Sequence, residues 1–366
     1  MPKYISTTAN YPKLLVVGVH APYNRTNAIQ SYYDEFLSLV KTNGIPYHKA
    51  VFIKLRSIEP GTFITKGHLE DLKKICDEEG IEEVLFSEPL SPQQERNLSE
   101  YLDARVFDRA QLILEIFEKA AISAEGKTQI EIAMLEHQKS RLAGKGKHMS
   151  QQAGILGLRA GFGETMKERE RRYIENRILH LKKHLKQLEQ TRETQRKARL
   201  KSQIPLVCLI GYTNAGKSTI LNTLTKSDVL AEDKLFATLD TTTRELIING
   251  RKKALISDTV GFIQLLPPHL IEAFKSTLSE LTYAHRLLLV VDIADPNWEE
   301  HIDVVQYILH DLEIEKDILF VFNKADKITV TPELEQRLSR YQPHVLVSAV
   351  NKKGLEPLLN YLDTNL

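Results

Sequence analysis

Gly211-Tyr212-Thr213-Asn214-Ala215-Gly216-Lys217-Ser218 is a complete G-x-x-x-x-G-K-S phosphate loop. It follows the apolar run Pro205-Leu206-Val207-Cys208-Leu209-Ile210 and opens the helix-forming stretch 219–224. Strand, glycine-rich turn and helix in that order make a nucleotide site of what would otherwise be a short pattern. The glycines let backbone N–H groups close around phosphate oxygens, Lys217 reaches the outer phosphates, and the Ser218 hydroxyl suits Mg²⁺. An open sheet with alternating strands and helices follows from this reading, with ligand loops at the carboxyl ends of the strands.

Three more segments assign the base and the switches. Residues 317–322 read as a buried strand that runs into Asn323-Lys324-Ala325-Asp326. The Asp326 carboxylate has only acceptors, which matches the adjacent N1–H and N2 amine of guanine and mismatches adenine. Lys324 is expected over the base plane and Asn323 on the phosphate loop. Asp258-Thr259-Val260-Gly261 closes another apolar strand; Asp258 would hold Mg²⁺ through water and the Gly261 N–H would meet the γ-phosphate. Ser348-Ala349, with Val350 after them, are expected beside guanine O6. The nucleotide read from these residues is GTP, and the reaction is hydrolysis to GDP and phosphate.

Two positions bear on how hydrolysis proceeds. Phe262 follows Gly261 where many signalling GTPases carry a water-orienting Gln, so a low resting rate is expected. Asn214, four residues before Ser218, stands where cation-dependent GTPases hold K⁺, whose charge would replace that of an arginine finger. Switch I falls within residues 235–244, which contain four threonines (Thr238, Thr241, Thr242 and Thr243). Spacing does not select the Mg²⁺ ligand among them. The catalytic set expected here includes Lys217, Gly261 and Asn214 together with a switch I threonine.

Composition sets outer bounds. The 366 residues allow two or three domains, and 42% apolar with 27% charged residues is ordinary for a globular protein. Net charge is only +1, so a nucleic-acid surface requires uneven distribution. Cys76 and Cys208 are the only cysteines and lie in separate apolar contexts, as expected in a reducing cytosol. No apolar run reaches 18 residues and no signal peptide pattern opens the chain, so a cytoplasmic protein without membrane insertion is expected.

The charge is uneven. Residues 1–123 alternate strand (14–19, 51–55, 83–86, 104–107) and helix (26–41, 67–79, 92–102), which predicts a small parallel α/β domain. Residues 124–203 read as two helices, 128–142 and 164–201. The second carries Ile174, Ile178, Leu181, Leu185 and Leu188 at alternating steps of four and three. So short a seam fits an antiparallel hairpin within one monomer better than a dimer zipper. Residues 164–201 hold 13 Lys or Arg against 6 Glu. The joining segment, about 143–163, has six glycines, and residues 139–163 contain no Asp or Glu. A loop of that length without structure of its own is uncommon unless functional, and this one reads as a flexible cationic probe for RNA. Residues 204–366 form the third domain, a doubly wound GTPase fold.

The order of parts resembles the HflX family of ribosome-associated GTPases over nearly the whole chain. The resemblance rests on the GTPase motifs and on Lys66-Gly67-His68-Leu69-Glu70, Leu90-Ser91-Pro92-x-Gln94-x-x-Asn97-Leu98 and Asp108-Arg109 with Leu112-Ile113-Leu114-x-Ile116-Phe117. Glu125-Gly126-Lys127-x-Gln129-x-Glu131, Arg159-Ala160-Gly161-Phe162-Gly163-Glu164-Thr165 and Phe236-Ala237-Thr238-Leu239-Asp240 complete it. The resemblance implies a protein that binds the large ribosomal subunit and its rRNA, splits ribosomes under stress, and is stimulated in GTP hydrolysis by that subunit. It also implies that Thr238 is the switch I ligand of Mg²⁺. Thr65, His68, Leu158, Ala160, Phe162 and Thr241 depart from the family pattern. The rival reading is an assembly GTPase acting on precursors of the large subunit.

Overall fold

The computed structural model describes residues 12–24, 29–142, 166–200, 204–225, 235–236, 241–264 and 279–366. The tip segment 143–163, switch residues Ala237, Thr238, Leu239 and Asp240, and residues 265–278 lie outside the described residues. Two compact units divide the chain, one within 1–116 and 134–175 and the other within 117–133 and 176–366.

In the first unit the expected alternation appears as β1 (Leu14–His20), α1 (Ile29–Asn43), β2 (Tyr47–Lys54), α2 (Lys66–Glu79), β3 (Glu83–Phe86), α3 (Pro92–Leu102) and β4 (Arg105–Asp108). The strands form a wholly parallel sheet in the order β2-β1-β3-β4. The central strand β1 is buried over Leu14 to Val19, which explains why its sequence is continuously apolar rather than alternating. Local chemistry sets the helix ends. Ser91 and Gln94 form a reciprocal capping box at the start of α3, with Pro92 in the first turn. Gly80 ends α2 at φ 63°, and its N–H donates to the Cys76 carbonyl.

A helix absent from the sequence reading follows at once, α4 (Arg109–Ala120). Its run Leu112-Ile113-Leu114 suits a strand as well as a buried helix, so periodicity alone does not separate the two. The deciding residue is Asp108. One carboxylate oxygen accepts the Gln111 N–H at 3.0 Å, capping α4. The other accepts the Leu90 N–H and an Arg141 guanidinium N–H, each at 3.0 Å. Arg141 lies on α5 (Ala124–Leu142), which begins four residues earlier than the apolar spacing indicates because the Ser123 hydroxyl accepts the Gly126 N–H. Helix α6 (Met166–Leu200) is the longest described. Its seam behaves as expected: Ile174, Ile178 and Leu181 are buried, while Arg171, Arg172, Lys182, Lys183 and Lys186 are exposed. Arg177 on α6 pairs with Glu131 on α5 in the second unit, and Lys139 pairs with Glu175 in the first.

The second unit continues with β5 (Leu206–Gly211), α7 (Lys217–Thr225), β6 (Thr242–Ile248), β7 (Arg251–Asp258), β8 (Arg286–Asp292), α8 (Trp298–Asp311), β9 (Ile318–Asn323), α9 (Pro332–Leu338), β10 (His344–Leu346) and α10 (Glu356–Asn365). Six strands join in the order β10-β9-β8-β5-β7-β6, with only β6 antiparallel to its neighbour. The connections diverge to either side of β5, so its carboxyl end is the topological switch point where α/β sheets bind ligands. No described helix is long and apolar enough to cross a membrane.

Replacing Asp108 by Ala leaves the Arg141 guanidinium without this carboxylate and removes the cap of α4. Loss of about 3 kcal/mol is expected, as for other buried ion pairs broken on one side, and is read as a lower midpoint in urea unfolding.

Candidate nucleotide site

The carboxyl ends of β5, β7, β9 and β10 bring the four sequence motifs to one edge of the six-stranded sheet. Asn323 is the joint between them. Its amide N–H donates to the Ala215 carbonyl in the phosphate loop at 2.9 Å, and its carbonyl oxygen accepts the Ala349 N–H at 3.0 Å. The side chain is 2% exposed, so both bonds are sheltered from water. Gly216 passes this amide at φ 94°, and a Cβ there would collide with the Asn323 nitrogen. The left-handed backbone and the close approach each demand glycine.

Lys217, the first residue of α7, is buried and donates to the carbonyls of Gly211 at 3.1 Å and Tyr212 at 2.8 Å. These bonds hold the ammonium beneath the loop rather than letting it range through solvent. Burial pushes its pKa down to about 8, against the opposing pull of the Asp258 carboxylate. Ser218 donates its hydroxyl to Asp258 Oδ2 at 2.6 Å. A hydroxyl and a carboxylate side by side form an all-oxygen donor pair, the chemistry that suits a hard cation such as Mg²⁺. Thr259 is fixed one residue on, its hydroxyl donating to the Leu209 carbonyl at 2.7 Å.

Switch II lies against the phosphate loop as a short extra strand. The Phe262 N–H donates to the Gly211 carbonyl at 3.1 Å, and the Thr213 N–H donates to the Phe262 carbonyl at 2.8 Å. Gly261 is tight in this arrangement: a Cβ would lie 2.8 Å from the Thr213 methyl and 3.0 Å from Lys217 Nζ. Val260 and Phe262 are buried beside it. Asn214 sits at the crown of the loop with φ 59°, and its carbonyl accepts the Lys324 ammonium at 3.0 Å. Of switch I, Phe236 is buried at φ 59°, and its ring packs edge-on against Phe117 with centroids 4.5 Å apart.

The base-reading residues are present but arranged with two differences from expectation. Lys324 is held by the Asn214 carbonyl and by Asp292 at 2.6 Å, which fixes its side chain across the mouth of the loop. The Ser348 and Ala349 N–H groups, expected at guanine O6, bond within the protein, to the Gly354 carbonyl at 3.1 Å and to Asn323. They brace the base loop in this structure. Asp326 Oδ1 accepts the Ser348 hydroxyl at 2.6 Å, which orients the carboxylate. Ala325 follows Lys324 on the same turn, and Val350 is exposed. Sequence reasoning missed the stack of Tyr212 on His301, rings 3.8 Å apart and 11° from parallel. Only the contact of the phosphate loop with helix α8, distant in sequence, creates it.

With this geometry in hand, comparisons with known proteins are specific. Residues 206–324 match the family model described as 50S ribosome-binding GTPase. Residues 30–118 match GTP-binding GTPase N-terminal, and 120–199 match GTP-binding GTPase Middle Region. The chain is 43% identical to GTPase HflX of Magnetococcus marinus over 337 residues, covering 92% of this chain and 78% of the relative. The chain belongs to the HflX family of GTPases. GTPase HflX of Escherichia coli is 39% identical over 338 residues, covering 91% of this chain and 78% of the relative. Among solved structures, the complex of SsGBP with GDP aligns with a TM-score of 0.53 at 26% identity, covering 96% of this chain and 98% of that one. As an HflX family member the protein binds GTP and hydrolyses it.

The Lys217 pKa yields a prediction with a definite sign. Below about pH 8 the empty site already carries the ammonium that the phosphates require; above it, binding must first recover a proton. GTP affinity is therefore expected to be flat from about pH 6.5 to 7.5 and to fall toward about tenfold per unit above pH 8. Titration with a fluorescent GTP analogue across that range checks it. An affinity unchanged at pH 9 would show that Lys217 keeps its proton.

Proposed function

We propose that this protein is a GTP-driven factor that binds the large ribosomal subunit and separates ribosomes into subunits. The supporting observation is the exposed cationic face of α6, opposite its buried seam, in a chain whose nucleotide domain matches a 50S ribosome-binding GTPase model. A protein of net charge +1 that concentrates positive charge along one helix has a surface suited to phosphodiester backbone. The segment 143–163, with Lys145, Lys147 and Arg159 and no acidic residue, would add to that charge at rRNA. The proposed division of the chain is an N-terminal α/β domain (1–123), a hairpin (124–203) and a GTPase domain (204–366).

In this reading the Lys217 ammonium and the phosphate-loop N–H groups hold the β- and γ-phosphates, and the Gly261 N–H meets the γ-phosphate. Ser218 and Thr238 would supply oxygen ligands to Mg²⁺, and Asp258 would help to hold the ion. The ion, when bound, neutralises phosphate charge. Asn214 supplies a ligand for K⁺. Asp326 reads guanine. The protein acts as a monomer in the cytoplasm.

Engagement of the γ-phosphate orders the switches and favours the form that grips the large subunit; hydrolysis, promoted by that subunit, releases it. Binding rather than hydrolysis then does the splitting. A non-hydrolysable GTP analogue is expected to support subunit separation as fully as GTP when 70S ribosomes are followed by light scattering. Separation with GTP but not with the analogue would make hydrolysis the driving step. Binding confined to precursor particles would favour an assembly role.

A further inference from the structure

Phe262 cannot position water through its side chain, so hydrolysis depends on how the main chain of switch II is held. Three hydrogen bonds hold it to the phosphate loop. Two are main-chain bonds at Phe262, to the Gly211 carbonyl and from the Thr213 N–H. The third is different in kind. The N–H of Gln264, two residues on, donates to the Tyr212 phenol oxygen at 2.8 Å. Here a side-chain phenol rather than a main-chain carbonyl takes the bond.

The phenol is well fixed for that task. Tyr212 is 7% exposed, and its ring lies flat on the His301 imidazole of α8, which is 8% exposed. His301 is carried on the first turns of α8, where its own N–H donates to the Asn297 carbonyl at 3.1 Å. Burial also holds the imidazole below its ordinary pKa, against Asp295, Glu300 and Asp292, so it meets the phenol ring as a neutral surface. A flat stack between two buried rings leaves the phenol oxygen little freedom to leave the Gln264 N–H.

We infer that Tyr212 is a positioning residue for GTP hydrolysis, its phenol oxygen, braced on His301, fixing the switch II main chain at Gln264 and thereby the placement of the Gly261 N–H at the γ-phosphate. Tyr212 also lends its carbonyl to Lys217, so one residue aligns the ammonium through its backbone and switch II through its side chain. Removing the phenol oxygen leaves the first of these intact. The two roles are thus separable by one atom.

Tyr212→Phe keeps the ring and the stack and deletes the oxygen. Its kcat for GTP in the absence of ribosomes is expected to fall about tenfold, the size of one buried hydrogen bond acting in the transition state, with KM and GDP affinity within about twofold of the parent. His301→Ala, which removes the brace, reproduces the fall in kcat, and His301→Phe, which restores a flat ring, recovers most of it. Should His301→Ala fail to fold, Tyr212→Phe and His301→Phe together still decide. An unchanged or raised kcat in Tyr212→Phe would overturn the inference. So would a fall in kcat accompanied by matching losses of GDP affinity and thermal stability, because that marks a purely structural role.

Discussion

The nucleotide domain depends on one steric constraint: the phosphate loop is gripped on both sides at contact distance. Asn323 closes on Gly216 from the β9 side, and Gly261 closes on Thr213 and Lys217 from the β7 side. Neither glycine position can carry a side chain without displacing its partner. Three strand ends are thereby fixed to one another through the loop that receives the phosphates. Under the proposed function, a change at the γ-phosphate would reach switch II through these contacts.

This constraint explains why the site is legible in sequence while its wiring is only partly so. The phosphate loop, Asp258-Thr259-Val260-Gly261 and Asn323-Lys324-Ala325-Asp326 are local: each follows a buried strand, and the side-chain types announce the chemistry. The parallel sheet of the first unit is equally readable, since β1 and β3 are short apolar runs that alternate with helices of regular period. Helix α4 was not, because Leu112-Ile113-Leu114 fits two secondary structures and the choice falls to Asp108, whose partners Leu90 and Arg141 are remote in sequence.

The same reason hides the polar interior of the first unit. Arg109, 1% exposed, pairs with Glu35 and lies 5.0 Å over the Tyr32 ring, while Tyr32 and Tyr23 donate to Glu88. Burial raises the Glu88 pKa, and the two phenols and Arg109 pull it back. Nothing in the spacing of these residues groups them. Likewise, Tyr212 reads as one more phosphate-loop residue until its ring is seen against His301. Ser348 and Ala349, expected beside guanine O6, brace the base loop through their N–H groups in this structure.

A GTPase that acts on a large RNA assembly must convert a change of one phosphate into a change of grip. On the proposed function, the nucleotide domain would sense it through the tight loop, and α6 would use its exposed charge. Their coupling is the central claim, and pelleting the protein with purified large subunits tests it most directly. At physiological salt the account predicts strong retention with a non-hydrolysable GTP analogue and weak retention with GDP or with no nucleotide. Equal retention in all three states would contradict it.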